Sequence, residues 1–302
     1  MKKMDLLFIG GRHSGKTTFM VRALNDAFSN VPEWMNLKFS LHEETVPGAL
    51  AGNFQALEDR VQPGPMHGPD FSTVCIRARK KKAFWFLIIM EMFRLLLLRR
   101  HMTEIGGVML QMSELSIENP HLGEWLLEHT AKKKVPLGVV LVVDPFAVGK
   151  TCESRHSPDV AAVVERLVER FEQIFVGNPE KRLPVSVAVV VNKAESFSQF
   201  RTNSLRYVDS ATLRASRNAL GDADGMLADS FLLNEIIEKQ SGEIRELMDQ
   251  YDGNFVNILQ NEFRSVRYFW SGDHEERGKT NFCRMTSPLL PLLWLLGEQM
   301  EF

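Results

Sequence analysis

The stretch that most constrains this chain is Gly10-Gly11-Arg12-His13-Ser14-Gly15-Lys16-Thr17, which matches G-x-x-x-x-G-K-[ST] in full and follows directly on the apolar run Leu6 to Gly10. The run is too short for a helix and reads as a strand, while "GKTTFMVRALNDAF" behind it reads as a helix. In that order the glycines let successive N–H groups curl toward one point, and the helix N-terminus adds partial positive charge there. Such a loop holds phosphate. The predicted contacts are Gly10, Gly11, His13, Ser14, Gly15, Lys16, Thr17 and Thr18, with Lys16 reaching the β- and γ-phosphates and the Thr17 hydroxyl placed to ligate Mg²⁺.

Further continuous apolar runs are Phe84 to Ile89, Gly107 to Met112, Gly138 to Asp144 and Val185 to Lys193, with a more aromatic one at Val266 to Gly272. Unbroken runs, rather than period-2 alternation, are what a parallel sheet covered on both faces requires. Helical stretches separate them: "GEWLLEHTAKK" after the third run and "SPDVAAVVERLVERFEQIF" after the fourth, with Ser157 as N-cap and Pro158 at the first helical position. The expected fold is α/β, a doubly wound and mostly parallel sheet in one domain spanning 1–302. Two stretches exceed a minimal version of it. Residues 40–70 are dense in Pro and Gly and read as a long, switch-like loop, and residues 196–263 read as a helical insertion beside the last strands.

Composition removes several alternatives. Lys and Arg total 36 against 38 Asp and Glu, so no global field points to nucleic acid, and Lys80 to Lys82, Arg99-Arg100 and Lys132 to Lys134 read as solvated surface. Three cysteines without CxxC spacing argue for reduced thiols and a cytoplasmic setting. The N-terminal apolar stretch is too short for a signal-peptide core. Ala83 to Arg100 is nearly long enough to span a bilayer, but Glu91 and Arg94 interrupt it. It is read as a buried strand followed by a buried or partner-facing helix, with membrane contact as the alternative.

The end of the fifth strand, "VVVNKAES", resembles the N/T-K-x-D base-recognition motif of GTPases, with Asn192 and Lys193 in place and Glu195 where that family has Asp. Strand-end position suits it, since ligands of open α/β sheets bind outside the carboxyl ends of the strands. "FWSG" at Phe269 to Gly272 stands where GTPases carry the loop that backs the base, which brings in Ser271, and "SPLLPLLWLL" reads as a closing helix. The order of parts resembles the Ras-like (TRAFAC) P-loop GTPases. The ending and the long first switch look like the bacterial double-GTPase group associated with conflict and defence systems. This resemblance implies GTP/GDP and Mg²⁺ as cofactors, a regulatory role and protein partners.

The pattern breaks at the second switch. GTPases end the third strand with D-x-x-G, and Ser113 and Ser116 stand at those positions, followed by Ile117 where Ras has its water-orienting Gln. Glu114 or Glu118 is placed to substitute; the plainer reading makes both surface carboxylates. Asp144 is a further carboxylate near the phosphates. For the first switch, Thr73 is the nearest candidate metal ligand and Thr45 the second. Arg12, where the family usually has a small residue, either stabilises charge as a catalytic cation or points to solvent. The expected function is slow or partner-assisted GTP hydrolysis; the alternatives are a nucleotide-holding scaffold without turnover, and a P-loop ATPase or small-molecule kinase.

Overall fold

The computed structural model describes residues 2–11, 14–29, 37–41, 72–80, 108–117, 119–128, 136–144, 160–175, 182–192, 225–271, 273–274, 283–284 and 288–300. Its centre is a seven-stranded sheet in the order β2-β3-β4-β1-β5-β6-β7. The strands are β1 (Lys2–Gly10), β2 (Leu37–Leu41), β3 (Ser72–Lys80), β4 (Val108–Ser116), β5 (Leu137–Val143), β6 (Leu183–Val191) and β7 (Phe263–Trp270). From β4 to β7 every pairing is parallel, which makes a five-stranded parallel core. β3 runs antiparallel to β4, and β2 antiparallel to β3.

β5 and β6 are built from the unbroken apolar runs that a two-sided sheet needs. β2 and β3 were not expected as strands. Their sequences, LKFSL and STVCIRARK, alternate apolar and polar residues, which is the signature of antiparallel strands at a sheet margin rather than of a central parallel strand. Consequently Ser40 and Leu41, placed at the start of the switch-like loop, close β2 instead, and Thr73 lies within β3. The rest of that loop, the predicted strand Phe84 to Ile89 and the apolar stretch to Arg100 lie outside the described residues. Among the described residues, no helix is long and apolar enough to cross a membrane.

Helices cover both faces. On one side α1 (Lys16–Ser29) and α6 (Leu290–Met300) supply Phe19, Met20, Leu24, Leu292 and Leu295 to a core with Leu6, Phe8, Met112, Val140 and Val190. On the other, α2 (Leu122–Leu126), α3 (Val160–Ile174) and α5 (Gly253–Glu262) pack against Leu7, Ile9, Leu115, Leu141 and Val189. Odd and even positions of β1, β4, β5 and β6 thus serve opposite cores, the period-2 consequence of the pleat. A two-residue hairpin, β8 (Asp273–His274) with β9 (Cys283–Arg284), stands apart from the main sheet.

The described part of the helical insertion is α4 (Gly225–Tyr251) followed by α5, while 196–224 lie outside the described residues. The insertion ends one residue earlier than expected, because Phe263 opens β7. α4 gives Ile237 to one core and Ile244, Leu247 and Met248 to the other, so it serves both layers across the margin at β7. There the Tyr268 N–H donates to Ser241 Oγ of α4 at 2.8 Å, a partner for a backbone donor that the last strand of the sheet would otherwise leave open.

The Tyr268 side chain is fully buried, and burial pushes its phenol from 10.0 up to about 12, with Gln260 and Arg245 pulling partly back. Because the folded value exceeds the unfolded one, this group's contribution is complete below pH 10 and is lost as pH rises through about 12. At about 1.36 kcal/mol per pH unit the loss is on the order of 3 kcal/mol. Chemical denaturation is expected to show stability falling over that window, and Tyr268→Phe is expected to flatten the fall.

Candidate phosphate-binding site

β1 leaves the sheet at Gly10, and a Cβ there would lie 2.2 Å from the Val142 carbonyl oxygen and 2.9 Å from Ser14 Oγ. Only glycine lets the chain turn so close to β5. Gly15, at the other end of the loop, has φ +86°, the left-handed region that side chains avoid, and a Cβ there would meet Asn192 Nδ2 at 2.1 Å. Between them the Ser14 N–H donates to the Gly11 carbonyl at 3.3 Å, and the Phe19 N–H to the Gly15 carbonyl at 2.9 Å starts the helix. The first turn of α1 therefore opens beside the loop, carrying the donors and positive dipole end that favour an anion.

Lys16 is buried and folds back over this turn, its Nζ donating to the carbonyls of Gly10 at 3.1 Å and Gly11 at 2.7 Å. That places an ammonium against the loop which an arriving phosphate would wrap. Ser14 Oγ is buried and, among the described residues, has no hydrogen-bond partner. A buried hydroxyl left open costs about 1–3 kcal/mol, so one beside an anion cradle is an acceptor and donor held in reserve. Arg12 and His13 lie outside the described residues.

Of the two sequence readings of Glu114, a substitute carboxylate at the site or a surface group, the surface one fails. Glu114 is buried, and the Thr17 hydroxyl donates to its carboxylate, with Oγ1 2.7 Å from Oε1 and 2.9 Å from Oε2. Alternation along β4 explains this. Met112 belongs to the α1-side core and Leu115 to the opposite one, so Glu114 shares the side of Met112 and Ser113 shares that of Leu115. Counting from a D-x-x-G pattern selects Ser113, yet Ser113 faces away from α1. The strand also runs further than expected, through Ser116, since β4 stays in register with β1 from Val108 opposite Lys2 to Ser116 opposite Gly10. Period-2 parity against Met112 was the signal in the sequence that would have selected Glu114.

Asn192 follows β6, held by its N–H to the Val143 carbonyl at 2.9 Å. Its side-chain amide donates to the Ser14 carbonyl at 2.9 Å. Residues 178 positions apart are thereby joined, and the base-recognition candidate is also a strut for the phosphate loop. Ser271 follows β7, buried, with its N–H on the Val191 carbonyl at 2.8 Å. Asp144 follows β5 at the same end of the sheet, and Thr73 is the register partner of Ser113. Lys193, Glu195, Thr45 and Glu118 lie outside the described residues. Ile117 is buried in the core on the face away from α1, its N–H on the Gly10 carbonyl at 3.3 Å.

Gly15→Ala tests this loop geometry directly. The positive φ alone costs about 1–2 kcal/mol for an L side chain. The added methyl also displaces the Asn192 amide. The melting temperature is expected to fall by several degrees and phosphate affinity to fall with it; an unchanged melting curve together with unchanged affinity would mean that the loop does not hold this conformation in solution.

The residues present fit a phosphate group: a glycine that a Cβ would push into Asn192, a glycine pressed against Val142, an open buried hydroxyl and a lysine over the turn. For a metal the donors are sparser. Among the described residues there is no group of three or more His, Cys, Asp or Glu side chains that could hold an ion. A hydroxyl and one carboxylate suit Mg²⁺, which keeps water and takes its remaining ligands from phosphate oxygens. In coarse terms, fold and site define an α/β protein whose parallel sheet presents a glycine loop between its first strand and first helix. No protein-family model matches the chain, and no curated protein is significantly similar to it in sequence.

Proposed function

We propose that this chain is a P-loop NTPase of GTPase-like build that binds GTP or GDP with Mg²⁺ and hydrolyses GTP slowly or with a partner. The observation that carries the reading is the glycine loop at the end of β1, with Lys16 folded over it and Thr17 paired to a buried carboxylate at the start of α1. The sheet order supports it, with a parallel core flanked by an antiparallel margin on the β4 side. The base-recognition reading of Asn192 is supported by its position just after β6 and its tie to the loop.

A second reading, a nucleotide-holding module of a multi-protein complex without turnover, is favoured by one observation. Ile117, at the position of the water-orienting residue, is committed to the core. Both readings place the protein in the cytoplasm among protein partners, and the resemblance to conflict and defence GTPases suggests the setting.

Identifying the nucleotide that co-purifies, with calorimetric titration of GTP and ATP in Mg²⁺, tests the proposal. Glu195→Ala is expected to weaken GTP by about 1.5–3 kcal/mol, the range for a hydrogen bond to a charged group, and to leave ATP nearly unchanged. A parent protein that prefers ATP would retire the guanine reading, and one that binds neither nucleotide would retire the site.

A further inference from the structure

The Thr17–Glu114 pair does more than anchor a helix. A carboxylate buried away from water is costly unless it is well partnered, and among the described residues a single O–H provides one proton for a group with about four acceptor positions. Glu114 is thus buried beside the phosphate loop with acceptor capacity to spare. The strand holds it there: its register partner is Phe8 of β1, which packs on Phe19 of α1, and Gly10 lies two residues further along. The open Ser14 hydroxyl marks the same loop as built for a ligand.

We infer that Glu114, one residue past the position the GTPase pattern assigns, is the carboxylate that makes nucleotide binding here depend on a divalent cation, acting on the ion together with Thr17. This rests on the phosphate-loop reading and deepens it. The charge has opposite consequences in the two states. With Mg²⁺ bound, the carboxylate attracts the ion directly or through its water, and nucleotide and metal bind together. Without Mg²⁺ it is a buried negative charge facing the polyphosphate, and it opposes binding. Were Mg²⁺ to bind here, Thr17 Oγ1 would offer it a lone pair and Glu114 a negative charge.

A residue that merely supported α1 would affect both states alike. The test is therefore the GTP affinity of parent, Glu114→Gln and Glu114→Asp, each measured with Mg²⁺ and with EDTA, and the Mn²⁺ affinity of each GTP complex followed by electron paramagnetic resonance. Glu114→Gln is expected to lose about tenfold or more in Mg²⁺–GTP affinity and in Mn²⁺ retention, the size of one charged hydrogen-bond partner, and to gain affinity in EDTA. Glu114→Asp keeps the charge and is expected to lose less. Thermal melts of the free proteins establish that each variant is folded. Equal losses with and without metal, or Mn²⁺ retention unchanged in Glu114→Gln, would overturn the inference while leaving the phosphate loop standing; no GTP binding by the parent in either buffer would overturn the phosphate-loop reading itself.

Discussion

Lys16→Ala is expected to abolish measurable GTP binding while leaving the fold intact. The ammonium donates to the Gly10 and Gly11 carbonyls, and each carbonyl keeps a backbone donor when the side chain is gone: Ile117 N–H on Gly10 and Ser14 N–H on Gly11, both at 3.3 Å. The free loop therefore has little to lose. A bound triphosphate loses a buried cation at its β- and γ-oxygens, and contacts of that charged kind are worth about 1.5–3 kcal/mol each. Two such contacts amount to a loss of affinity of several hundredfold or more. Calorimetry on the variant, with a thermal melt as control, checks this. A folded variant that binds GTP as tightly as the parent would show that the lysine is not aimed at phosphate.

Single-turnover hydrolysis of GTP by the protein alone is expected at or below about 10⁻⁴ s⁻¹, the intrinsic order for Ras with its switch intact. The expected water-orienting position is Ile117, buried in the core beneath β1 and β4, and an apolar side chain has no acceptor for a water proton. Ser113 faces away from α1, and Ser116 lies within β4 instead of in a loop free to swing. Among the described residues, what remains near the loop is Lys16, Thr17, Glu114 and backbone N–H groups. These stabilise phosphate charge in ground state and transition state with little discrimination, so they give affinity more readily than rate. A quench-flow or slow single-turnover assay decides between this and a competent enzyme. A rate on the order of 1 s⁻¹, usual for efficient phosphoryl transfer, would mean that a group among the residues not described completes the site.

The two experiments bear on different parts of the proposal. Loss of binding in Lys16→Ala tests the loop; a low rate in the parent tests the second switch. A protein that binds GTP with Mg²⁺ and barely turns it over fits a role in which nucleotide state is read by a partner, and partner-stimulated hydrolysis is then the measurement to make next.

The glycine loop between β1 and α1 was legible from sequence because its geometry is local. Gly10, Gly15, Lys16 and Thr17 lie within one turn and one loop, and the conformations that loop demands are encoded in which positions lack a Cβ. The parallel core was legible for a related reason: a strand buried on both faces is apolar along nearly its whole length, as β5 is throughout and β6 is apart from Ser186. Tertiary structure decided which of the distant candidates meet. Thr17 and Glu114 are 97 residues apart, and Ser14 and Asn192 are 178. Which carboxylate meets the hydroxyl depends on strand register, and a one-residue shift carries a side chain to the opposite face of the sheet. Motif spacing counts residues along the chain, whereas the pleat sets which of two neighbours faces the helix, and so Glu114 rather than Ser113 stands at the phosphate loop.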